Sequence, residues 1–369
     1  MTILYFVLWF GVAAVLFAAL SAAQYPIRKH RGIPLRVVVI IAKLLLGAAA
    51  AYFIMAVDLP FAYHAGFVLA ALYAVLLADA AGDILTLPYL IIKRKSKKNR
   101  NRMQIIVCAA CAVVFIIFGT VNMQTVTANR FNYTSDKLTN TYRFVFISDL
   151  HAGSSQSMDT VGSTIRGIAD ENADFVLLGG DIVDEYTTKE EMKYVFSLFK
   201  EIKAPVYFIY GNHDRQPAGN LIGERTFSDK ELEDTILSNG ITILKDEWIP
   251  ISDELVLFGR ESYDCVERKA LSAIPARPDN AFVLQADHSP YLYDDITESG
   301  ADLQMSGHTH AGQLFPLRLI YGLAGYDAYG FFRHGNTDVY ISSGAGGWRF
   351  PFRTEAGCRY EVVTLQPEQ

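Results

Sequence analysis

The chain has 369 residues, half of them hydrophobic, with a mean hydropathy of +0.18 and a formal charge of -6. That hydropathy excludes a wholly soluble protein, and the length suffices for two domains of ordinary size. Charge is divided unevenly: residues 1–123 carry 12 Lys/Arg and 3 Asp/Glu, the remainder 21 and 36, so a part of net +9 precedes a part of net -15. An acidic domain repels nucleic acid phosphates, which excludes a nucleic acid partner held on a broad basic surface.

Four apolar stretches come first, near residues 3–23, 34–57, 61–81 (with an apolar tail from Ile84 to Ile92) and 103–122. Each is long enough to cross about 30 Å of hydrocarbon, which takes roughly 20 helical residues, so residues 1–123 are expected to form four transmembrane helices. Ser21-Ala22-Ala23 would suit signal cleavage, but the first stretch lacks a basic leader and basic sequence follows it. Arg28, Lys29, Arg31 and Arg36 lie between the first and second stretches, and Lys93, Arg94, Lys95, Lys97, Lys98, Arg100 and Arg102 between the third and fourth. Asp58-Leu59-Pro60 and the sequence after Met123 are poor in positive charge. The positive-inside rule then places both basic loops in the cytoplasm and everything after 123 outside a cell membrane. Lys43, Asp79 and Asp83 are the ionisable residues near or within the apolar runs; anchoring is the expected role of these helices, transport the alternative. Cys108-Ala109-Ala110-Cys111 reads as small residues on a membrane helix rather than a redox or metal pair, and Cys265 and Cys358 have the chance to pair only in an oxidising compartment.

Residues 124–142 are polar, rich in Thr and Asn, and read as a tether; 143–369 follow as a second domain. There, short β-branched and aromatic runs predict strands over 143–148, 175–178, 206–210, 241–244, 255–258, 281–285, 339–342 and 359–365, and amphipathic runs predict helices near 158–171, 188–201, 230–239 and 290–299. The alternation indicates an α/β domain with a polar site at strand ends.

At those ends one kind of residue recurs. The first gives Ser148-Asp149-Leu150-His151, where in an extended segment positions i and i+2 point to one side. Next come Gly179-Gly180-Asp181-Ile182-Val183-Asp184, Gly211-Asn212-His213-Asp214, Asp287-His288-Ser289-Pro290 and Ser306-Gly307-His308-Thr309-His310. Singly, each reads as a turn or a stray histidine. Five in this order are similar to the complete signature of the calcineurin-like metallophosphoesterases, over about the last 225 residues of the 369.

The resemblance implies two packed mixed β-sheets flanked by helices, an αββα sandwich, with two divalent metal ions at the strand ends. Carried over, Asp149, His151 and His310 hold one metal, Asn212, His288 and His308 the other, and Asp181 bridges both. Histidine, carboxylate and amide ligands suit Mn²⁺, Fe or Zn²⁺. The counterpart of His213 lies near the substrate, stabilising the transition state or protonating the leaving oxygen, with Asp214 orienting its ring. Protein Ser/Thr phosphatases of the superfamily carry Asp-Arg-Gly and a Glu after Asn-His, where this chain has Asp184-Glu185-Tyr186 and Asp214. The sequence from Gly307 to Gly347 instead resembles the membrane-associated bacterial phosphodiesterases of the YkuE/YaeI kind and related lipid-linked UDP-sugar pyrophosphatases. Leu314, Phe315, Leu317, Leu319, Ile320, Tyr321, Leu323, Tyr326, Tyr329, Phe331 and Phe332 follow the last ligand closely, either as a membrane-facing lip or as ordinary core. Arg349 and Arg353 are expected to grip a phosphate or to face solvent, and Trp348 to be packed.

A phosphodiester or pyrophosphate on a lipid-linked or envelope substrate is therefore the leading expectation, with the membrane bilayer as the other partner. A phosphomonoesterase or nucleotidase on soluble substrates is the enzymatic alternative. A non-catalytic membrane sensor or transport component is the third, disfavoured because no ligand position is missing.

Overall fold

The computed structural model describes residues 3–29, 33–56, 62–92, 97–215, 226–275 and 280–368. Arg31, Asp58 to Pro60 and Lys93 to Lys95, on which the orientation argument partly turns, lie outside the described residues, as does His30. Two compact units are present, one of residues 1–121 with 314–317, the other of 122–313 with 318–369.

The first unit is helical: α1 (Ile3–Lys29), α2 (Ile33–Ala56), α3 (Ala62–Ile92) and α4 (Lys97–Gln124). Among the described residues, three helices are long and apolar enough to cross a membrane, over Pro34–Ile54, Val68–Pro88 and Arg102–Gln124, while α1 contributes the shorter apolar stretch Gly11–Gln24. The third helix continues through the apolar tail to Ile92, so what sequence divides into a span and a tail is one element. Small residues let these helices approach closely. A Cβ at Gly82 would lie 2.6 Å from Cys108 Sγ, which accounts for a buried cysteine there as packing.

Polar side chains from all four helices meet inside this unit. Lys43 Nζ lies 2.8 Å from Asp79 Oδ2 and also pairs with Asp83. Gln24 donates to Asp79 over 2.9 Å, and Gln104 donates to Asp83. In an apolar medium such groups are costly unless they satisfy one another, so the network holds the four helices in register.

In the second unit, β1 (Val126–Ser135), β2 (Tyr142–Ile147), α5 (Met158–Ala169), β3 (Phe175–Leu178), α6 (Lys189–Leu198), β4 (Val206–Phe208), α7 (Asp229–Ser238) and β5 (Thr242–Ile243) come first. They are followed by β6 (Glu247–Pro250), β7 (Leu255–Gly259), β8 (Phe282–Ala286), α8 (Tyr293–Ser299), β9 (Leu303–Ser306), α9 (Leu317–Leu323), β10 (Gly330–His334), β11 (Thr337–Ile341) and β12 (Cys358–Pro367). One six-stranded sheet has the order β1-β12-β2-β3-β4-β5, the other β10-β11-β9-β8-β7-β6. Both are mixed, and the expected sandwich of two sheets with outer helices is present.

Alternation of side chains explains the layers. Phe144, Phe146, Phe175 and Leu177 of the first sheet pack with Leu255, Leu257, Phe282, Leu284, Leu303 and Met305 of the second. Their neighbours Val145, Ile147, Val176 and Leu178 point the other way, onto Val161 and Ile165 of α5, Val195 and Phe196 of α6 and Leu232 and Ile236 of α7. These helices start where a hydroxyl or carboxylate can satisfy free N–H groups: Thr188 and Ser228 each form a reciprocal capping box with Glu191 and Glu231.

One expectation is corrected. Residues 126–135, read as tether, form β1, paired in parallel along its full length with β12 from Val126↔Cys358 to Ser135↔Pro367. Its apolar residues are split between the two faces, Val126 and Ala128 packing on the helical side and Phe131 and Tyr133 towards the second sheet, with Thr and Asn between them, so composition alone hides the strand.

Polar side chains are buried within the sandwich as well: Gln285, Gln304, Ser306, Ser342 and Glu361 are all fully buried. Gln285 donates to Gln304 over 2.6 Å, and Ser342 Oγ to Glu361 over 2.9 Å. Burial pushes the Glu361 carboxyl up from its ordinary 4.5 to about 8. The folded chain thus keeps a proton that the unfolded chain releases near pH 4.5, so its stabilising effect is complete below that pH and is lost as pH rises towards 8. The slope is about 1.4 kcal/mol per pH unit at most. Glu361→Gln is expected to flatten this dependence: thermal unfolding of the full chain with chelator should show a Tm advantage over wild type at pH 8 that shrinks at pH 5.

Candidate metal centre

Parallel pairing of β2, β3 and β4 in one sheet, and of β8 and β9 in the other, brings five strand ends to one edge of the sandwich. Asp149 and His151 follow β2, Asp181 follows β3, and Asn212, His213 and Asp214 follow β4. His288 follows β8, and His308 and His310 follow β9. The site therefore draws on both sheets.

Local conformation differs from the extended segment inferred for the Asp-x-His and His-x-His pairs. Asp149, His151, Asp181, His308 and His310 all have left-handed backbones, with φ of 53°, 44°, 53°, 71° and 50°. Non-glycine residues at positive φ cost on the order of 1 kcal/mol or more each and concentrate where function demands a particular aim. Hydrogen bonds across the strand ends hold them there, from Asp149 N–H to Gly180 O (2.9 Å), His151 N–H to Asp181 O (3.1 Å) and Gly307 N–H to His288 O (3.0 Å). Glycine is needed at two close approaches: a Cβ at Gly211 would fall 2.2 Å from Asp181 Oδ1, and one at Gly307 2.2 Å from Asp149 Oδ2.

Two groups of ligand-type atoms result. Those of Asp149, His151 and His310 lie within 4.8 Å of one another, and so do those of Asp181, His288 and His308. Asn212 Oδ1 lies 2.9 Å from His308 Nδ1, beside the second group. His151 Nε2 is 3.9 Å and His288 Nε2 2.9 Å from Asp181 Oδ2, which puts Asp181 between the two groups. All seven residues expected as ligands are thus brought together.

The donor set fits divalent cations. Asp149 Oδ2, His151 Nε2 and His310 Nδ1 are buried without a hydrogen-bond partner, a costly state for polar atoms that a cation relieves. Ring orientation is set from the far side: His151 Nδ1 lies 3.0 Å from Asp184 Oδ2, and His288 Nδ1 2.8 Å from Gly179 O. Such outer contacts fix tautomer and aim in metal sites.

Electrostatics tell the same story. Burial works to raise the Asp181 carboxyl, but the surrounding imidazoles, His288 foremost, hold it well below the ordinary carboxylate range. Burial works to lower His288, but Asp181 and Asp149 lift it to about 10; His308, buried beside His288, is pushed down to about 4. The site seeks positive charge, and protons supply part of it when no cation does.

Two sequence expectations are revised. The carboxylate that bonds the His213 ring is that of Glu185, with Nδ1 2.8 Å from Oε2. Asp214 instead accepts backbone N–H groups from Asp181 (2.6 Å), Gly211 (2.9 Å), Ile182 (3.1 Å) and Val183 (3.1 Å), because the turn after β4 aims its short side chain back at the loop after β3. Arg353 neither grips phosphate nor faces solvent: it is fully buried and donates to the carbonyls of His310 and Gly346 over 2.6 Å each, bracing a candidate ligand. Arg349 stacks on Trp348 at 3.9 Å, and Trp348 in turn packs against His213 with ring centres 5.0 Å apart. Four cysteines are free, so Cys265 and Cys358 do not pair.

The rim was not foreseen. Tyr263 and Tyr291 pack edge-on to His308 at 5.6 Å and 5.8 Å, and Tyr291 leads to the exposed Tyr326 at 5.4 Å. Single tyrosines in loops carry no periodic signal, so only the fold could assemble them.

Two packed sheets with paired Asp/His groups at their strand ends define a metal-dependent phosphoesterase architecture. Residues 142–312 match the family described as Calcineurin-like phosphoesterase, and this domain belongs to the calcineurin-like metallophosphoesterases. A Helicobacter pylori protein named "Uncharacterized metallophosphoesterase" is 29% identical over 63% of this chain and 62% of its own length. Bacillus subtilis "Uncharacterized metallophosphoesterase YkuE" is 27% identical over 61% of this chain and 79% of its own, and Escherichia coli "Phosphodiesterase YaeI" 28% over 61% and 82%. The chain spans less than two thirds of the first of these relatives, 62% of its length.

Proposed function

We propose that this chain is a membrane-anchored phosphoesterase that hydrolyses the phosphodiester or pyrophosphate bond of a lipid-linked or other envelope substrate with two divalent cations. The observation that carries the reading is the convergence of seven ligand-type side chains with three of their buried polar atoms orphaned. Asp149, His151 and His310 hold one cation, Asn212, His288 and His308 the second, and Asp181 reaches both. When bound, the pair, Mn²⁺, Fe or Zn²⁺ by donor type, acidifies a water and neutralises phosphoryl charge.

This chain's own residues do the rest. Asp184 and the Gly179 carbonyl keep two imidazoles aimed, Asp214 holds the loop that carries Asp181, and His213 serves the leaving oxygen. Tyr263, Tyr291 and Trp348 wall the site with aromatic surface, which limits water and suits an apolar substrate.

Support for the lipid class comes from exposed apolar side chains that follow the site in sequence, Leu319, Leu323, Tyr326 and Phe331, and from three helices of membrane-spanning length. Extracytoplasmic placement rests on the basic loops, and net -15 after residue 123 supports a substrate selected by the site rather than by a basic surface.

The test is hydrolysis by the full chain in detergent with Mn²⁺. A bis-nitrophenyl diester should be cleaved at least about tenfold faster than the monoester, and a lipid-linked pyrophosphate faster than its water-soluble counterpart. Equal or reversed rates would remove the diester and lipid assignments in favour of a soluble phosphomonoester; no turnover by metal-loaded protein would favour a sensor.

A further inference from the structure

The reading above assigns no task to the buried acid beside the His213 ring. Glu185 is about 3% exposed, and its Oε2 lies 2.8 Å from His213 Nδ1. It occupies the position at which the Ser/Thr phosphatase pattern has arginine. Neither neighbouring acid is available for this contact: Asp184 binds His151 and the Tyr186 and Thr187 N–H groups, and Asp214 binds four backbone N–H groups.

His213 is held on three sides. Its backbone N–H donates to Asp181 Oδ1 over 2.8 Å, its ring meets Trp348 at 5.0 Å and 46°, and His151 at 5.1 Å and 69°. With Nδ1 turned to Glu185, Nε2 lies on the opposite side of the ring. A carboxylate on Nδ1 fixes the tautomer and the aim of an imidazole, and stabilises its charged form.

We infer that Glu185 is a positioning residue that makes His213 a proton donor to the leaving group, and thereby suits this site to esters whose leaving oxygen is an alkoxide, as in glycerol, sugar and other alkyl phosphodiesters. This deepens the proposed function and rests on it. In the step, a water oxygen forms a bond to phosphorus while the bond from phosphorus to the leaving oxygen breaks. The electron pair of that bond goes to the leaving oxygen, which takes the proton from His213 Nε2. The attacking water loses its surplus proton to solvent, and the ring regains one from solvent.

The leaving group separates this role from a structural one. An alkoxide needs a proton as it departs, whereas a nitrophenolate is stable without one, and general acid catalysis contributes about 100-fold or more where it is needed. Glu185→Gln should lower kcat about 100-fold on an alkyl phosphodiester but only a few-fold on a bis-nitrophenyl diester, with KM nearly unchanged on both. Glu185→Asp, which keeps the charge on a shorter arm, should recover part of the alkyl rate, and metal content should match wild type in both variants. Equal losses on the two substrates, or a loss of metal, would overturn the inference while leaving the phosphoesterase reading in place. Absence of metal-dependent hydrolysis by wild type on either substrate would overturn that reading instead. Should Glu185→Gln not fold, the same ratio measured in Glu185→Asp decides: a smaller but selective alkyl loss supports the inference, and an unselective one refutes it.

Discussion

Asp181→Asn should lower kcat on the order of 1,000-fold and reduce bound metal from about two ions per chain to one or fewer. The expectation follows from position. Asp181 lies 3.9 Å from His151 Nε2 and 2.9 Å from His288 Nε2, so its carboxylate adjoins both ligand groups and comes nearer the second than Asp149, whose Oδ1 is 3.9 Å from His288 Nε2. Asparagine keeps the shape and one acceptor oxygen but removes the charge that the surrounding imidazoles stabilise, and an amide nitrogen cannot bind a cation. Metal analysis and steady-state rates on the same purified full-length sample check it. Wild-type turnover with wild-type metal content would show that the site is assigned wrongly.

Asp214→Asn is expected to fail differently, by destabilisation of about 3 kcal/mol, comparable to breaking a buried charge-assisted network. Four N–H groups converge on this carboxylate, and it is buried. An asparagine would turn an NH₂ towards donors, leaving some of them without an acceptor in a dry site. Thermal unfolding should fall by several degrees, and because the loop bearing Asp181 depends on these bonds, metal affinity should fall with it. A variant with normal stability and metal content but slow leaving-group departure would restore to Asp214 the role here given to Glu185.

The difference between these two residues shows what one-dimensional reading can reach. Asp181, a carboxylate after Gly179-Gly180 at the tip of an apolar run, reads singly as a turn and takes its assignment from the resemblance carried by all five blocks. Asp214 also sits beside a histidine, and the resemblance implied that it orients His213. Consecutive side chains in a turn diverge, however, and the partner of His213 turned out to be 28 positions away. Likewise, of the i, i+2 pairs Asp149 and His151 share one group while His308 and His310 fall in different ones, because their aim comes from left-handed residues and not from an extended strand.

Edge strands were the least legible part of the fold. Strand β1 packs Val126 and Ala128 on one face and Phe131 and Tyr133 on the other, so neither an apolar run nor a clean alternation marks it and its Thr and Asn content reads as linker. Central strands such as Phe175–Leu178, buried on both faces, are continuous apolar runs, and sequence located that one to the residue.

In the sequence, local patterning marked the apolar helices and an α/β domain, and the resemblance of five strand-end blocks to the calcineurin-like metallophosphoesterases implied the two-sheet sandwich and the seven ligand-type residues. Only the tertiary structure decided which acid holds His213, that Arg353 braces the loop of His310, and that Tyr263, Tyr291 and Trp348 wall the site. Those are contacts between loops far apart in the chain, and their partners are chosen by where the strands of two sheets end in space.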